Sequence, residues 1–554
     1  MHNGMKNSMK RVFWILAILF ILVLGTMFKL VACERQVIAA NSYNSRLGYG
    51  NEDFKRGSIY DSDGNVMAES VKNGEVYDRV YPYGKAAAHI TGYTGAGAAG
   101  IEAVENFSLL GLDNEISQRV NNIIKGAELT GDDVYLTIDM DIQQLAYDLL
   151  GKSRGAAVVM DPVTGSVIAM ASTPSYDPNT VRNDWSRLSQ DENSPLLNRA
   201  TQGLYPPGST FKIVTALDVI RNIPDYEDFS FNCNGEVTLG KKTIHCFDSK
   251  AHGMIDIDEA MAQSCNSAFA TLGDKTGGAK LRKTADSLKI NDEINFDLPV
   301  SQSIVSLTRM SDESELAETS IGQGKTLVTP LYMSMLISSV ANSGVMMQPY
   351  MVEKITYGDG SVKSTTIPKV YDRVMTEDES ERLTEMLKGV INRGTGRAAQ
   401  LNGWQAAGKT GTAENAGEYD HSWFVGFAPA DDPKVAVAVI LENVSGSERA
   451  TPIAGKLMQA VLDKNTDGSF SREDYISIKK TYSDPEPEIE IRDEEPEIIE
   501  NEQPDNSYII GSDINDYFPD RMNNFDENIP ADGSSAARGE HPDELIIELD
   551  IVDK

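Results

Sequence analysis

Two pairs of short apolar runs, far apart in the chain, constrain its fold most strongly. Residues 155–161 (GAAVVMD) and 166–172 (SVIAMAS) flank the turn PVTG, and residues 421–429 (HSWFVGFAP) and 434–441 (KVAVAVIL) flank ADDP. Such runs around a turn are typical of antiparallel hairpins. Helical patterns lie between the two hairpins, so we expect an α+β domain over residues 152–464, with an antiparallel sheet flanked by helices.

One of these helices has clear boundary signals. Thr329 is a suitable cap, Pro330 suits the first turn, and Gly344 ends the apolar run LYMSMLISSVANSG. Threonine caps and first-turn prolines favour a helix start, and glycine favours a helix end. We therefore predict a helix immediately after Thr329.

The N-terminus contains an uncharged run, residues 12–28, preceded by Lys6, Lys10 and Arg11. This pattern predicts a single transmembrane anchor over residues 12–32, with residues 1–11 in the cytoplasm and nearly all of the remaining chain outside. A cleaved secretory signal and a lipoprotein signal ending at Cys33 are the alternatives. The absence of a small-x-small site after the run, and the charge of Lys29, favour the uncleaved anchor.

Charge and composition divide the rest of the chain. Residues 35–151 alternate strand-like runs with turn signals, which predicts a small, irregular, β-rich membrane-proximal pedestal module. Residues 465–554 hold 26 acidic and 7 basic side chains, so −19 of the net charge of −33 lies there. This tail is predicted to be disordered, as a solvated spacer or a docking arm. Neither region offers the basic surface that nucleic-acid binding needs.

The cysteines leave three alternatives open. Cys233 and Cys246 could form a disulfide, as an external compartment would allow. They could instead bind zinc together with His245, His252 and Cys265, because thiolate and imidazole ligands suit that metal. They could also remain free thiols.

The segment YPPGSTFKIV, residues 205–214, places Ser209 and Lys212 three residues apart where a helix is expected to begin. Residues i and i+3 share a helix face, so the hydroxyl and the amine can come within hydrogen-bonding reach. The unpaired N–H groups of a helix start favour negative charge developing on the serine oxygen. Alone, this spacing is common and proves little.

Two further motifs accompany it in the same domain. SCNSAF contributes Ser264 and Asn266, and GKTGTA at residues 408–413 contributes Lys409 and Gly411. We expect GKTGTA to begin an edge strand, where Gly411 leaves one face open for a substrate backbone. The three motifs, in this order, indicate one active site.

Together they resemble the S-x-x-K, S-x-N and K-T-G motifs of penicillin-binding proteins and serine β-lactamases. RGSIYDSDGNVMA from Arg56, GIEAVENFSLLG from Gly100 and NRATQGLYPPGSTFK from Asn198 narrow the resemblance to class B penicillin-binding proteins, over residues 50–464. It implies a serine D,D-transpeptidase that crosslinks peptidoglycan stem peptides through an acyl-enzyme on Ser209 and is a target of β-lactams. The residues before 152 are too few for the glycosyltransferase of class A enzymes.

No histidine or carboxylate accompanies the motifs, so the base must be an amine. Burial and the like charge of Lys409 are expected to lower the pKa of Lys212, while Lys409 stays cationic beside the substrate carboxylate. The chemistry implies no cofactor and no metal. The resemblance implies that Ser209 is the nucleophile, Lys212 the base and Ser264 a proton relay. It also implies that Asn266 orients Lys212 and the substrate amide. Lys409, Thr410 and Thr412 would bind the substrate carboxylate, and the backbone N–H groups of Ser209 and Thr412 would donate to the oxyanion.

Two other functions remain possible from sequence. A carboxypeptidase or β-lactamase would transfer the acyl group to water, although Cys265 stands where class A β-lactamases have aspartate. A divisome or elongation scaffold would keep only a vestigial serine. The resemblance implies a protein of the cell membrane in cell division or cell shape, with a SEDS-type glycan polymerase and divisome or elongasome proteins as partners.

Overall fold

The fold is described from a computed structural model that covers residues 2–33, 54–95, 97–112, 130–308, 310–414, 419–444, 449–467 and 470–476. All the described residues belong to the first of two units of the chain, Met1–Pro487. The predicted disorder of the tail concerns residues that lie almost entirely outside the described ranges.

The described helices are distributed along the first unit. Their bounds are α1 His2–Cys33, α2 Ala88–Thr91, α3 Gly100–Val104, α4 Asn106–Leu109, α5 Met140–Leu150, α6 Val181–Leu188, α7 Lys212–Asn222, α8 Ile257–Ala262, α9 Asn266–Thr276, α10 Gly278–Ser287, α11 Glu313–Ser320, α12 Pro330–Ala341, α13 Glu377–Asn392, α14 Ala450–Asp467 and α15 Arg472–Ile476.

The strands are mostly short. Their bounds are β1 Ile59–Tyr60, β2 Val66–Asn73, β3 Val76–Val80, β4 Tyr93–Thr94, β5 Ala98–Ala99, β6 Asp133–Leu136, β7 Gly155–Met160, β8 Val167–Thr173, β9 Phe231–Cys233, β10 Glu236–Leu239, β11 Lys242–His245, β12 Gly253–Ile255, β13 Val345–Met347, β14 Val352–Thr356, β15 Val362–Thr365, β16 Val370–Arg373, β17 Ala407–Ala413, β18 His421–Ala428 and β19 Val435–Leu441.

A five-stranded antiparallel sheet in the order β17-β18-β19-β7-β8 forms the centre of the catalytic region. Both predicted hairpins are confirmed as β7–β8 and β18–β19. Successive side chains point to opposite faces, so Trp423 and Val158 join one core while Phe424 and Val159 join the other. Helices cover both faces, α12 on the first and α5 and α14 on the second. The inner strands β7 and β19 are therefore apolar throughout, as expected of strands that are buried on both faces.

Helix α12 begins as predicted. The Thr329 hydroxyl accepts the Tyr332 N–H at 3.1 Å and Pro330 occupies the first turn. Gly344 follows the helix end with φ +82°, a conformation that glycine adopts without strain.

The module before residue 152 shares its sheet with the catalytic region. The sheet order is β15-β14-β6-β1-β2-β3, so β14, far beyond the predicted boundary, pairs with β6, and β15 pairs with β14. Buried Glu102 binds Arg56 Nε at 2.7 Å and Arg79 Nε at 2.6 Å within the module. Strand pairing thus joins the described residues of the predicted pedestal module to the region beyond residue 152, and the boundary between the two stays a prediction.

The predicted anchor, residues 12–32, lies within α1. Apolar side chains of this helix such as Trp14, Phe20 and Leu22 are exposed. Within the ranges described above, no helix combines enough length with enough hydropathy to cross a membrane.

Candidate active site

Ser209 lies in a single turn of 3₁₀ helix, Gly208–Phe211, that leads directly into α7. Gly208 has φ +52°, donates its N–H to Gly322 O at 2.9 Å, and has no room for a Cβ, which would lie 2.4 Å from Thr412 O. The turn is thus held between β17 and a loop of residues 320–324, SIGQG. The helix start predicted near Gly208 is confirmed.

Lys212 joins the first two motifs. Its Nζ lies 3.0 Å from Ser209 Oγ, 2.6 Å from Ser264 O, 3.2 Å from Ser264 Oγ and 2.6 Å from Asn266 Oδ1. The residue is fully buried. All four of these hydrogen-bond neighbours of Nζ are oxygen atoms. Together with burial, they determine whether the Lys212 amine is protonated.

The second motif links two helices. Ser264 has φ +57°, a left-handed conformation uncommon outside glycine, and Asn266 is the first residue of α9. The Asn266 Nδ2 donates to His245 O at 2.8 Å, which fixes Oδ1 toward Lys212. Sequence inspection did not reveal the role of the His245 carbonyl, because a backbone acceptor leaves no mark on residue type.

The third motif lies on β17, which is an edge strand as predicted. Lys409 is fully buried, and its Nζ lies 2.9 Å from Ser264 Oγ and 3.0 Å from Thr410 O. The predicted opening for a substrate backbone at Gly411 stays a prediction, and the structure adds a packing reason for glycine at this position. A Cβ there would lie 2.9 Å from Thr210 Cγ2 and 3.1 Å from Pro207 O, so glycine lets the Ser209 turn pack against β17.

Both lysines are perturbed by burial. Burial lowers the pKa of Lys212 to about 7, against a small opposing effect of the Cys265 and Cys246 sulfurs. Burial, and then the charge of Lys212, lower the pKa of Lys409 well below its usual value. The expected like-charge effect therefore falls on Lys409, whose pKa is lowered although it was expected to stay cationic, whereas burial lowers the pKa of Lys212.

Thr395, which follows α13, is a neighbour of the third motif that no sequence pattern indicated. Its Oγ1 lies 2.6 Å from Thr410 Oγ1, and its N–H donates to Ala262 O at 3.1 Å. Thr395 therefore ties the end of α8, just before the second motif, to β17. An exposed threonine after a helix has no signature that could have identified it.

Buried residues support the nucleophile turn from behind. Trp423 is fully buried, and its indole N–H donates to Pro206 O at 3.0 Å. Glu442 accepts from Arg199 Nε and from the Tyr205 hydroxyl, each at 2.7 Å. These contacts fix the backbone that precedes Ser209.

A group of possible metal ligands lies beside the second motif. The ligand atoms of Cys233, Cys246, His252 and Cys265 all lie within 4.8 Å of one another. His245 is not among them, because its Nδ1 lies 3.1 Å from Glu236 Oε2.

The fold and the convergence of one serine with two buried lysines define a serine acyltransferase of the penicillin-binding class. Residues 155–459 match the family model of the penicillin binding protein transpeptidase domain, and residues 56–134 match that of the penicillin binding protein A dimerisation domain. The chain belongs to this transpeptidase family and is a class B penicillin-binding protein.

Similar proteins and solved structures belong to the same family. The chain is 32% identical to peptidoglycan D,D-transpeptidase PbpA of Mycolicibacterium smegmatis over 479 residues, which cover 82% of this chain and 96% of that protein. The imipenem acyl-enzyme of M. tuberculosis penicillin-binding protein A is 31% identical, with a TM-score of 0.71, covering 74% of this chain and 99% of that one. The D,D-transpeptidase domain of an Eggerthella lenta peptidoglycan glycosyltransferase is 34% identical, with a TM-score of 0.68, covering 75% and 99%.

Proposed function

We propose that this chain is a peptidoglycan D,D-transpeptidase in which Ser209 forms an acyl-enzyme with a stem peptide. The observation on which the proposal rests most is the 3.0 Å contact between the buried Lys212 Nζ and Ser209 Oγ. Relatives at about one-third identity carry the same activity in their names, and one is solved as a β-lactam acyl-enzyme.

The neighbours of Lys212 suit a neutral amine acting as base. The two carbonyl oxygens at 2.6 Å, Ser264 O and Asn266 Oδ1, can only accept hydrogen bonds. A neutral amine gives them its two N–H groups and keeps its lone pair for the Ser209 hydroxyl proton. A pKa near 7 suits a general base that must alternate between both forms.

Acylation then follows. Ser209 Oγ bonds to the carbonyl carbon between the two terminal D-alanines, and its proton passes to Lys212. Collapse of the tetrahedral intermediate breaks the carbon–nitrogen bond, and the leaving amine takes a proton from Lys212 through the Ser264 hydroxyl, which contacts both lysines. An acceptor amine of a second stem peptide then attacks the ester carbonyl and gives a proton to Lys212, the carbon–oxygen bond to Ser209 breaks, and Lys212 returns the proton to Ser209 Oγ.

The substrate groups have assigned partners in this proposal. The terminal carboxylate lies by Lys409, Thr410 and Thr412, and its negative charge favours the protonated form of Lys409. The oxyanion accepts from the N–H groups of Ser209 and Thr412, and each such donor is worth about 3 to 4 kcal/mol. Gly411 permits the packing that keeps this strand against the nucleophile turn.

We also propose the cellular setting. The uncharged run in α1, its basic flank and its exposed apolar side chains favour a single-pass anchor at residues 12–32, with the catalytic domain outside the cytoplasm. A SEDS-type glycan polymerase and divisome or elongasome proteins are proposed partners on family resemblance. Residues 56–134 match the penicillin binding protein A dimerisation domain, so a second copy of the chain is a further proposed partner.

One experiment tests the catalytic proposal. The full chain is incubated with labelled penicillin, and the adduct is located by peptide mass spectrometry. A stable adduct on Ser209, absent from Ser209→Ala, supports the proposal. Rapid turnover to penicilloate would instead indicate a hydrolase, and an adduct elsewhere, or none, would overturn it.

A further inference from the structure

The segment between the first two motifs folds around a buried group of three thiols and one imidazole. Cys233 ends β9, Cys246 follows β11, His252 precedes β12 and Cys265 precedes α9. The three cysteines are buried and His252 is half-buried. Residues distant along the chain thus converge at one point.

Their spacing matches a tetrahedral metal site. Ligand sulfurs about 2.3 Å from a tetrahedral zinc ion lie about 3.8 Å apart, and a sulfur and an imidazole nitrogen about 3.6 Å apart. Cys246 Sγ lies 3.7 Å from both Cys233 Sγ and Cys265 Sγ, and Cys233 Sγ lies 3.4 Å from His252 Nδ1. A disulfide would use two of the three sulfurs and leave the third thiol and the imidazole without a role.

The surroundings of the sulfurs suit thiolates. Gly235 N–H points to Cys233 Sγ at 3.4 Å, Ala268 N–H points to Cys265 Sγ at 3.5 Å, and the Ser267 hydroxyl lies 3.3 Å from Cys246 Sγ. Donors of this kind contact the sulfur atoms and not the metal, and they stabilise metal-bound thiolates. Zn²⁺ would itself offset two of the three thiolate charges.

The local fold needs such a link. The strands of this segment form two ladders of two strands each, β10–β11 and β9–β12, with three or four residues in each strand. Isolated ladders of this size are marginal in water. A bound ion would join both ladders to the start of α9.

Two of the four ligands flank the contacts of Asn266. Cys265 directly precedes Asn266, and Cys246 directly follows His245, whose carbonyl accepts the Asn266 amide at 2.8 Å. An ion that joins Cys246 to Cys265 therefore fixes both the backbone of Asn266 and the group that orients its side chain. The same side chain contacts Lys212 at 2.6 Å.

We propose that Cys233, Cys246, His252 and Cys265 bind one Zn²⁺ ion, and that this ion positions Asn266 for its contact with Lys212. The binding site stands on the geometry of the four ligands, whereas the positioning role also rests on the function proposed above. In this proposal the ion acts through Asn266 and does not contact the substrate.

Metal content tests the site. The full chain is purified in detergent without chelators, and zinc is measured by plasma mass spectrometry, with one ion per chain expected. Cys246→Ser should lose the ion, while the matched neighbour His245→Ala should retain it. Exchange for Co²⁺ should give the strong visible absorption of a tetrahedral thiolate complex. A chain without stoichiometric metal, with three alkylatable thiols or a disulfide, overturns the site.

Acylation kinetics test the positioning role. Cys233→His preserves a ligand and should keep both the ion and the acylation rate constant for a fluorescent penicillin, whereas Cys233→Ser should lose the ion. We expect the rate constant of Cys233→Ser to fall roughly tenfold to a hundredfold while the final fraction of acylated chain stays unchanged. A smaller final fraction with an unchanged rate constant would mean that the ion only supports folding, which overturns the positioning role.

The two proposals fail separately. If the zinc-loaded chain forms no adduct on Ser209, the transpeptidase function and the positioning role are both overturned, while metal content still decides the site. If the adduct forms on a chain without metal, the site is overturned and the catalytic proposal stands.

Discussion

Lys212 and Lys409 place their amine nitrogens against the same atom, Ser264 Oγ, at 3.2 and 2.9 Å. Both side chains are fully buried, so each ammonium charge disfavours the other. The charge of Lys212 adds to burial in lowering the pKa of Lys409, so the protonation of one amine affects the other. Ser264 is the bridge through which a proton can move between them.

The first prediction concerns pH. Because the pKa of Lys212 is lowered to about 7, the amine is charged below that pH and cannot accept the Ser209 proton. The acylation rate constant for a fluorescent penicillin should therefore rise with pH through about 7 and level off above it. Stopped-flow measurement checks this, with circular dichroism as a control for folding. A rate constant that falls across this range would contradict the assignment of Lys212 as base.

The second prediction exchanges one amide for a carboxylate. Asn266→Asp places a negative charge against Lys212 and puts two acceptors opposite each other at His245 O. The carboxylate should raise the pKa of Lys212, so the midpoint of the pH profile should move upward by about one to three units. Asn232→Asp, an exposed change in the same segment, should leave the profile unchanged. Equal profiles for the two variants would argue against the Asn266 contact.

The third prediction separates close packing from backbone strain. Gly208→Ala adds a Cβ that would lie 2.4 Å from Thr412 O, at φ +52°. We expect acylation to fall more than about a hundredfold, because the nucleophile turn must move away from β17. Gly64→Ala is the matched control, since it has φ +85° but nothing within 4 Å of the added atom. Loss of acylation in both variants would point to general destabilisation.

The fourth prediction concerns the buried charge of Glu442. Burial raises its pKa, but Arg199, Tyr205 and Arg154 together lower it below the usual value. Glu442→Gln leaves Arg199 buried without its counter-ion, so urea unfolding at pH 7 should show a loss of about 3 to 5 kcal/mol. The exposed pair of Asp432 and Lys434 supplies the control, because Asp432→Asn should cost about 1 kcal/mol or less.

The pH dependence of this loss has a definite sign. A carboxylate with a lowered folded-state pKa contributes stability above its unfolded pKa and loses it as the pH falls through the folded-state value. The difference between the native chain and Glu442→Gln should therefore be complete at pH 7 and shrink in acid. A difference that grows toward low pH would contradict the ion pair with Arg199.

Much of the catalytic region could be predicted from the sequence because its signals are local. The hairpins β7–β8 and β18–β19, the capped helix α12 and the edge strand β17 each depend on residues that are neighbours along the chain. The spacing of Ser209 and Lys212 likewise reports on a single turn. The meeting of Ser264, Asn266 and Lys409 around Lys212 was inferred from the resemblance, and the structure brings all of them together.

The remaining features depend on contacts between distant segments. The pairing of β14 with β6, the hydroxyl contact between Thr395 and Thr410, and the backbone acceptor at His245 have no local pattern. Gly411 shows the limit most clearly, because a glycine in an edge strand can face a ligand or a neighbouring turn. The close approach of Pro207 and Thr210 is visible only in the structure.

The shared sheet has a consequence for how the chain can be shortened. A protein beginning at residue 152 would lack β6, and β14 would then present a bare row of N–H and C=O groups at an open edge. Exposed edges of this kind recruit other strands and promote aggregation. The transpeptidase domain thus depends on β6, a strand of the preceding module, to cover an edge that would otherwise promote aggregation.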